Sequence, residues 1–228
     1  RIYFVIIKRM KYDIKKIQLL ILITALSSGT LLISNLSAVK LWDLLGIAVD
    51  GGLVLFPLSY LLGDITIELF DKRVAKNVIL SGFLINAIAV LVFYIVIALP
   101  AYPGWDMQEA YAAIFGFSPR IIFGSLTGFV LSGFLNNYLF VKMKQSNSYF
   151  AKSFIARALA SSVFAHILDS ATFEFIAFFG VLPFNEFLAQ AVFAYVLGLG
   201  IEFILSPIEV AIEKVLKKWL NTPAQQNA

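Results

Sequence analysis

Six apolar runs, each near the length that crosses a bilayer, follow one another along this chain and constrain its fold more than anything else in it. They cover 17–37, 53–70, 77–99, 118–141, 154–181 and 187–210. About 20 helical residues cross the hydrocarbon core. Lipid offers no partner for backbone N–H and C=O groups, so isolated apolar runs must cross as helices. Composition supports the same class. Apolar residues make up 60% of the 228 residues and charged ones 14%, with mean hydropathy +0.87. A soluble domain carries roughly a quarter charged residues, so too few polar groups are present to cover an aqueous exterior. The expected fold is all-α, a polytopic bundle of six transmembrane helices in a single domain spanning 1–228. The fifth run is long enough to tilt or protrude. Pro100–Phe117, with Tyr102, Pro103, Gly104 and Trp105, reads as an interfacial loop with belt aromatics. The tail Asn221–Ala228 reads as disordered.

Basic residues orient the bundle. Arg1, Lys8, Arg9, Lys11, Lys15 and Lys16 precede the first run. Lys72, Arg73 and Lys76 follow the second, Lys142, Lys144 and Lys152 follow the fourth, and Lys214, Lys217 and Lys218 follow the sixth. The other connections carry little positive charge apart from Lys40. This alternation predicts cytoplasmic N- and C-termini and a multi-pass protein of the cell (inner) membrane. The opening run Ile2–Ile7 is too short to span and lacks a small-residue cleavage site. It is expected at the interface beside its basic neighbours.

Ionisable groups at membrane depth cost several kcal/mol unless paired or wet, so each asks for a reason. The second run carries Asp64 and Glu68, four apart on one face. The fifth carries the stripe Ser162, His166, Asp169 and Phe173, and the sixth carries Glu202, Ser206 and Glu209. Ser34, Asn35, Asn86, Asn136 and Asn137 add hydroxyl and amide groups. Together they describe a polar cavity at mid-membrane. Plainer readings stand beside this one. Glu68 fits a helix-end ion pair with Lys72 about as well as a site. His166 suits a structural hydrogen bond to Asp169, a proton relay or a substrate contact. The amides suit interhelical hydrogen bonds of about 1 kcal/mol. Glu174 lies about 140° around the helix from Asp169, so it is expected off that face, paired with Arg157 or with another helix. The ridge Gly124, Gly128, Ser132 reads as close packing, and Pro57 and Pro207 as helix starts or kinks.

Absences narrow the function. With no Cys there is no thiolate site or disulfide framework. The chain has no GxxxxGK[ST] phosphate loop, no HExxH and a single His. Ser132–Gly133 with His166 lacks the flanking pattern of an intramembrane serine protease. No enzyme activity, cofactor, metal or nucleic-acid partner is expected. The expected partners are the lipid bilayer and a small molecule, with homo-oligomerisation left open.

The stretch FPLSYLLGDITIELFDKRVAKNVILSGF, Phe56–Phe83, resembles the signature region of the queuosine precursor transporters, also called the vitamin uptake transporter family. Ser34 and Asn35 with Ala38, Val39 and Lys40 are similar to the end of that family's first helix. GFSPRI at Gly116–Ile121 resembles the entry to its fourth, where Asn136 matches an amide. LDSATFEFIAFFGVLP, with Asp169 and Phe173, resembles the fifth-helix block, and Glu202 and Pro207 fit the last helix. The resemblance implies uptake of 7-cyano- or 7-aminomethyl-7-deazaguanine. Asp64, Glu68 and Asp169 would make polar contacts with Asn35 and Asn136 in support, Phe173 would stack on the ring, and His166 and Glu202 would complete the set. The chain departs from that pattern at Gly133, at His166 and near Leu197, where many relatives carry an acid or amide, Glu or Asn, and Lys respectively. Two alternatives remain: a substrate-binding membrane subunit of an energy-coupling-factor type transporter, and a non-transport membrane module with structural buried acids.

Overall fold

The computed structural model describes residues 2–70, 72–146, 148–149 and 154–221. Within these helices several side chains fall outside the described set, among them Asp64, Glu68, Asn136 and Glu202. The chain is mostly helical. Helix α1 covers Ile2–Ser37, α2 Phe56–Phe70, α3 Lys72–Ala98, α4 Gln108–Lys144, α5 Phe154–Phe178 and α6 Phe184–Asn221. Among the described residues four segments are long and apolar enough to cross a membrane: Ile14–Ser37, Arg73–Ala98, Gln108–Ser132 and Phe184–Ile201. Helix α2 has 15 residues, about 22 Å at 1.5 Å per residue, short of a full crossing by itself.

Burial in this bundle is inverted relative to a soluble protein. Leu80, Leu84, Ile88, Leu91 and Ile95 form an exposed stripe along α3, while Asn86 of the same helix is fully buried. Thr66, Ser118, Ser161, Glu174 and Gln190 are likewise buried. Apolar side chains facing outward and polar ones facing inward suit a lipid exterior, where interior polar groups hold helices together.

Two apolar clusters bracket the interior. Leu19, Ile23, Ile65, Leu69 and Leu220 join the middle of α1 to the C-terminal ends of α2 and α6. At that end Lys15 donates to the Trp219 carbonyl and lies over its ring. The second cluster gathers Ala38, Ile121, Ala177, Phe178 and Phe187. Among the described elements α4 and α5 pack most extensively, and the small-residue ridge explains this. A β-carbon at Gly124 would lie 3.2 Å from the Phe173 carbonyl oxygen, and one at Gly128 would lie 2.7 Å from Asp169 Oδ1. Close packing is thus the role of these glycines. Arg120, one residue after Pro119, donates to the carbonyls of Ile176 and Phe179. It closes the C-terminal end of α5, where a helix leaves carbonyls without partners.

The structure corrects the all-α expectation between the first two helices. Leu41–Leu44 (β1) and Ile47–Asp50 (β2) form an antiparallel hairpin, with Leu41 opposite Asp50 and Leu44 opposite Ile47. Its two-residue turn has positive φ at both Leu45 (56°) and Gly46 (84°), the geometry that matches the twist of paired strands. Asp43 Oδ1 accepts from the Gly46 amide at 3.0 Å. A short 3-10 helix at Gly51–Val54 then leads into α2. The interfacial-loop expectation is also narrowed: Gln108–Phe117 belongs to α4, and the irregular connection ends at Met107. Gln108 donates to the Ile97 carbonyl at 3.0 Å, tying the start of α4 to the end of α3. Trp105, Tyr111, Phe115 and Phe93 make successive ring contacts there. At the chain ends α1 begins by Ile2, and α6 continues to Asn221. The tail expected to be disordered lies, beyond Asn221, outside the described residues.

Candidate functional site

A cavity of about 430 Å³ lies inside the bundle, and all six helices contribute to its wall. The volume falls within the roughly 300–1,000 Å³ typical of small-molecule sites. On α1 it runs from Ser27 to Asn35, with Ala38 just past the helix end, beyond the apolar cluster around Leu19 and Ile23. Helix α2 contributes Ser59 to Ile67, α3 Ala75 to Phe83, α4 Ser125 to Ser132, α5 Ala165 to Glu174, and α6 Ala194. Asp50, Gly52 and Leu53 bring the hairpin and the 3-10 helix to one end.

Four of the eight residues expected from sequence have described side chains, and all four line this cavity: Asn35, His166, Asp169 and Phe173. His166 and Asp169 stand one turn apart on α5, facing the same space. The Asp169 carboxyl group rests over Gly128 of α4. Close packing therefore fixes where the carboxylate can point. Phe173 meets Phe178 edge-on, with ring centres 5.9 Å apart. Phe83 and Phe129 form a second aromatic wall at 5.7 Å. Asn35 has a structural role as well. Its amide donates to Asn86 Oδ1 at 2.9 Å, and Asn86 donates to the Gly82 carbonyl at 2.8 Å, joining α1 to α3. Asp64, Glu68, Asn136 and Glu202 lie on α2, α4 and α6, with side chains outside the described set. Ser132 also lines the cavity, and its hydroxyl donates to the Phe129 carbonyl at 3.1 Å within α4.

Three further residues lie outside the set of site residues expected from sequence. Glu174 lines the cavity together with Asp169, which corrects its expected separation onto another face. A cavity that wraps around α5 takes in more of its circumference than a single helical stripe. Glu174 is 1% exposed and accepts from Gln190 Nε2 of α6 at 2.9 Å. Its partner is thus another helix, one of the two alternatives considered. Gln190 Oε1, equally buried, has no hydrogen-bond partner. Asp50 was not singled out from the sequence. Its Oδ1 accepts from the Gly52 amide at 2.9 Å and caps the 3-10 helix, while Ser34 Oγ donates to the Gly52 carbonyl at 3.0 Å. Burial pushes the Asp50 carboxyl up to about 6, against the lowering effect of the backbone amides of Gly52 and Leu53. The only signal for Asp50 in sequence was Asp followed by two glycines, a pattern common in ordinary turns.

The interior is therefore rich in acceptors and aromatic faces. Among its described lining residues there is no Lys or Arg. Among the described residues no group of three or more metal-ligating side chains occurs. Such a wall can hold a flat heterocycle edge-on by its N–H groups and face-on by its ring.

Comparison with known proteins agrees with this architecture. Residues 50–212 match the family described as "Putative vitamin uptake transporter". Over 185 residues the chain is 24% identical to the "Probable queuosine precursor transporter" of Bacillus subtilis (strain 168), covering 80% of each protein. Over 136 residues it is 27% identical to the "Queuosine precursor transporter" of Escherichia coli (strain K12), covering 60% of this chain and 58% of that one. No solved structure matches the chain. With the family match running across most of its length and its apolar helices enclosing a small-molecule cavity, this chain belongs to the vitamin uptake transporter family of membrane transporters.

Proposed function

We propose that the protein imports a queuosine precursor, 7-cyano- or 7-aminomethyl-7-deazaguanine, through the cavity between its six helices. The observation that carries this reading is its likeness to two transporters named for that cargo. The cavity chemistry supports it. A guanine-like edge presents a ring N–H beside an amine, and one carboxylate can accept from both. Charge-assisted hydrogen bonds of this kind are the strong ones in a low-dielectric site. Asp169 is the acceptor in this reading, Phe173 stacks on the ring, and His166 and Asn35 complete the polar edge. Asp64, Glu68, Asn136 and Glu202 extend the same set. All six helices cross the membrane in this arrangement, α2 together with the 3-10 turn before it, with both termini in the cytoplasm.

The test is uptake of labelled 7-deazaguanines into proteoliposomes containing this chain alone, with purines as competitors. Adenine carries an unprotonated ring nitrogen where guanine carries N–H, so it leaves the carboxylate unpaired. Buried groups left unsatisfied in this way reject a wrong ligand by large factors. Adenine should compete at least about 100-fold more weakly than either deazaguanine. Equal competition by adenine would remove the carboxylate-edge reading, and absence of uptake for both deazaguanines would remove the cargo.

A further inference from the structure

Helix α6 is longer than the interior it crosses. Its Phe187 belongs to the apolar cluster at the hairpin end, and its Leu220 to the cluster at the opposite end. The helix between them extends about 50 Å at 1.5 Å per residue. Helix α1 joins the same two clusters, from Ala38 just past its end back to Leu19, over about 29 Å. Helix α6 therefore cannot run straight beside α1. From Phe187 to Pro207 it already covers about 30 Å. Pro207 sits inside the helix, where a lost N–H and a ring clash let it bend. The last turns, from Ile208 to Asn221, are left to run obliquely across the end of the bundle. There Ile212 and Leu216, with Leu220, pack into the cluster that holds Ile65 and Leu69 of α2. Lys15 of α1 ties the far end down by donating to the Trp219 carbonyl at 3.1 Å.

This terminal segment has three faces. Ile212, Leu216 and Leu220 turn toward the bundle. Ile208, Val215 and Trp219 form a narrow stripe beside them and are all exposed, Val215 at 66%. Lys218 and Lys214 follow, also exposed, about 80° and 120° round from that stripe on the side away from the bundle. The one acid on this segment whose side chain is described, Glu213, is paired with Lys217. We propose that the outer face of Ile208–Asn221 docks anionic phospholipid, with hydrocarbon against Ile208, Val215 and Trp219 and phosphate against Lys214 and Lys218. Water would leave the apolar stripe exposed, and a neutral apolar partner would leave the lysines without anions. Anionic lipid covers both, as it does for interfacial amphipathic helices. A Trp ring suits the headgroup level, where its apolar body and its N–H meet different surroundings. Because the opposite face of the segment closes the apolar cluster below the cavity, lipid held here braces that end of the bundle. This docking is independent of the cargo.

The chain has no Cys, so Val215→Cys places one bimane fluorophore on the stripe. The labelled full chain is put into phosphatidylcholine nanodiscs with a fixed fraction of nitroxide lipid, either phosphatidylglycerol or phosphatidylcholine. Nitroxide phosphatidylglycerol should quench the label as though enriched about fivefold or more over nitroxide phosphatidylcholine, the effect of one lysine or more near the headgroups. Lys214→Gln with Lys218→Gln should remove that preference and leave the quenching by phosphatidylcholine in place. Should the double variant fail to fold, 0.5 M salt on the labelled chain carries the same comparison, because it screens exposed charges. Equal quenching by the two lipids, or a preference that survives both the substitutions and the salt, would overturn the docking of anionic headgroups. Quenching by aqueous acrylamide and by neither lipid would place the stripe in water. Shielding from lipid and acrylamide alike would mean that a second copy of the chain covers it. Either result would overturn the proposal.

Discussion

Asp169 and Gly128 form one unit at the residue scale, because the carboxyl group of one occupies the space that a side chain on the other would need. Asp169→Asn should abolish uptake or weaken it by at least about tenfold while the protein still reaches the membrane, since the amide keeps the volume but loses the charge. Normal uptake by this variant would remove Asp169 from the site. Gly128→Ala should give a similar transport defect through a different cause. Its methyl group would push the carboxylate aside and overpack the α4–α5 contact by about 1–3 kcal/mol, visible as a lower unfolding temperature. A variant with unchanged uptake and unchanged melting would show that the carboxylate is free to move. Asp50 gives a pH signature. Its folded carboxyl group holds its proton up to about pH 6, against 3.8 ordinarily. The folded state therefore binds more protons than the unfolded state between those values, and stability falls as pH rises through that window. Asp50→Asn should flatten the slope between pH 4 and 6 and raise stability at pH 7 by up to about 3 kcal/mol. A slope unchanged by the substitution would assign it to other groups.

At the scale of elements, the best-defined joint is the end of α5. Arg120 reaches from α4 to two terminal carbonyls of α5, and Gly180, at φ 80°, turns the chain just beyond. Hydrogen bonds from charged groups contribute about 1.5–3 kcal/mol. Arg120→Met keeps the aliphatic stem and removes both donors. It should destabilise the protein by about that amount, and hydrogen exchange should rise first at the last turn of α5. Uniform exchange along α5 would argue against a local cap. The same joint holds Phe178 against Ile121 and Phe187, so its loosening should also reach the hairpin end of the cavity. The hairpin was the least legible element. Its Leu-Gly turn and alternation are weak signals between two membrane runs, and its strands matter because they deliver Asp50 to the cavity.

For the whole molecule, the proposed orientation rests on the alternating basic loops and is open to direct test. The chain has no Cys, so single cysteines at positions 105, 144 and 217 report unambiguously. In intact cells an impermeant thiol reagent should label position 105 and leave 144 and 217 unlabelled until the membrane is opened. Labelling at 144 with protection at 105 would reverse the arrangement. The sequence by itself determined the class of the molecule, a set of apolar helices with polar stripes turned inward, because a lipid exterior must leave its mark on composition and periodicity along the whole chain. It also pointed to the wall shared by Asn35, His166, Asp169 and Phe173, since residues on one helical stripe, or deep in neighbouring apolar runs, must face a common interior. Tertiary structure alone decided that Asp50 and Glu174 join them. One sits at the end of a hairpin and the other well around α5 from Asp169, and only the folding of the hairpin and α6 onto the end of the bundle brings them to the same cavity. Helical periodicity records which face of a helix is buried, whereas long-range packing decides what that face meets.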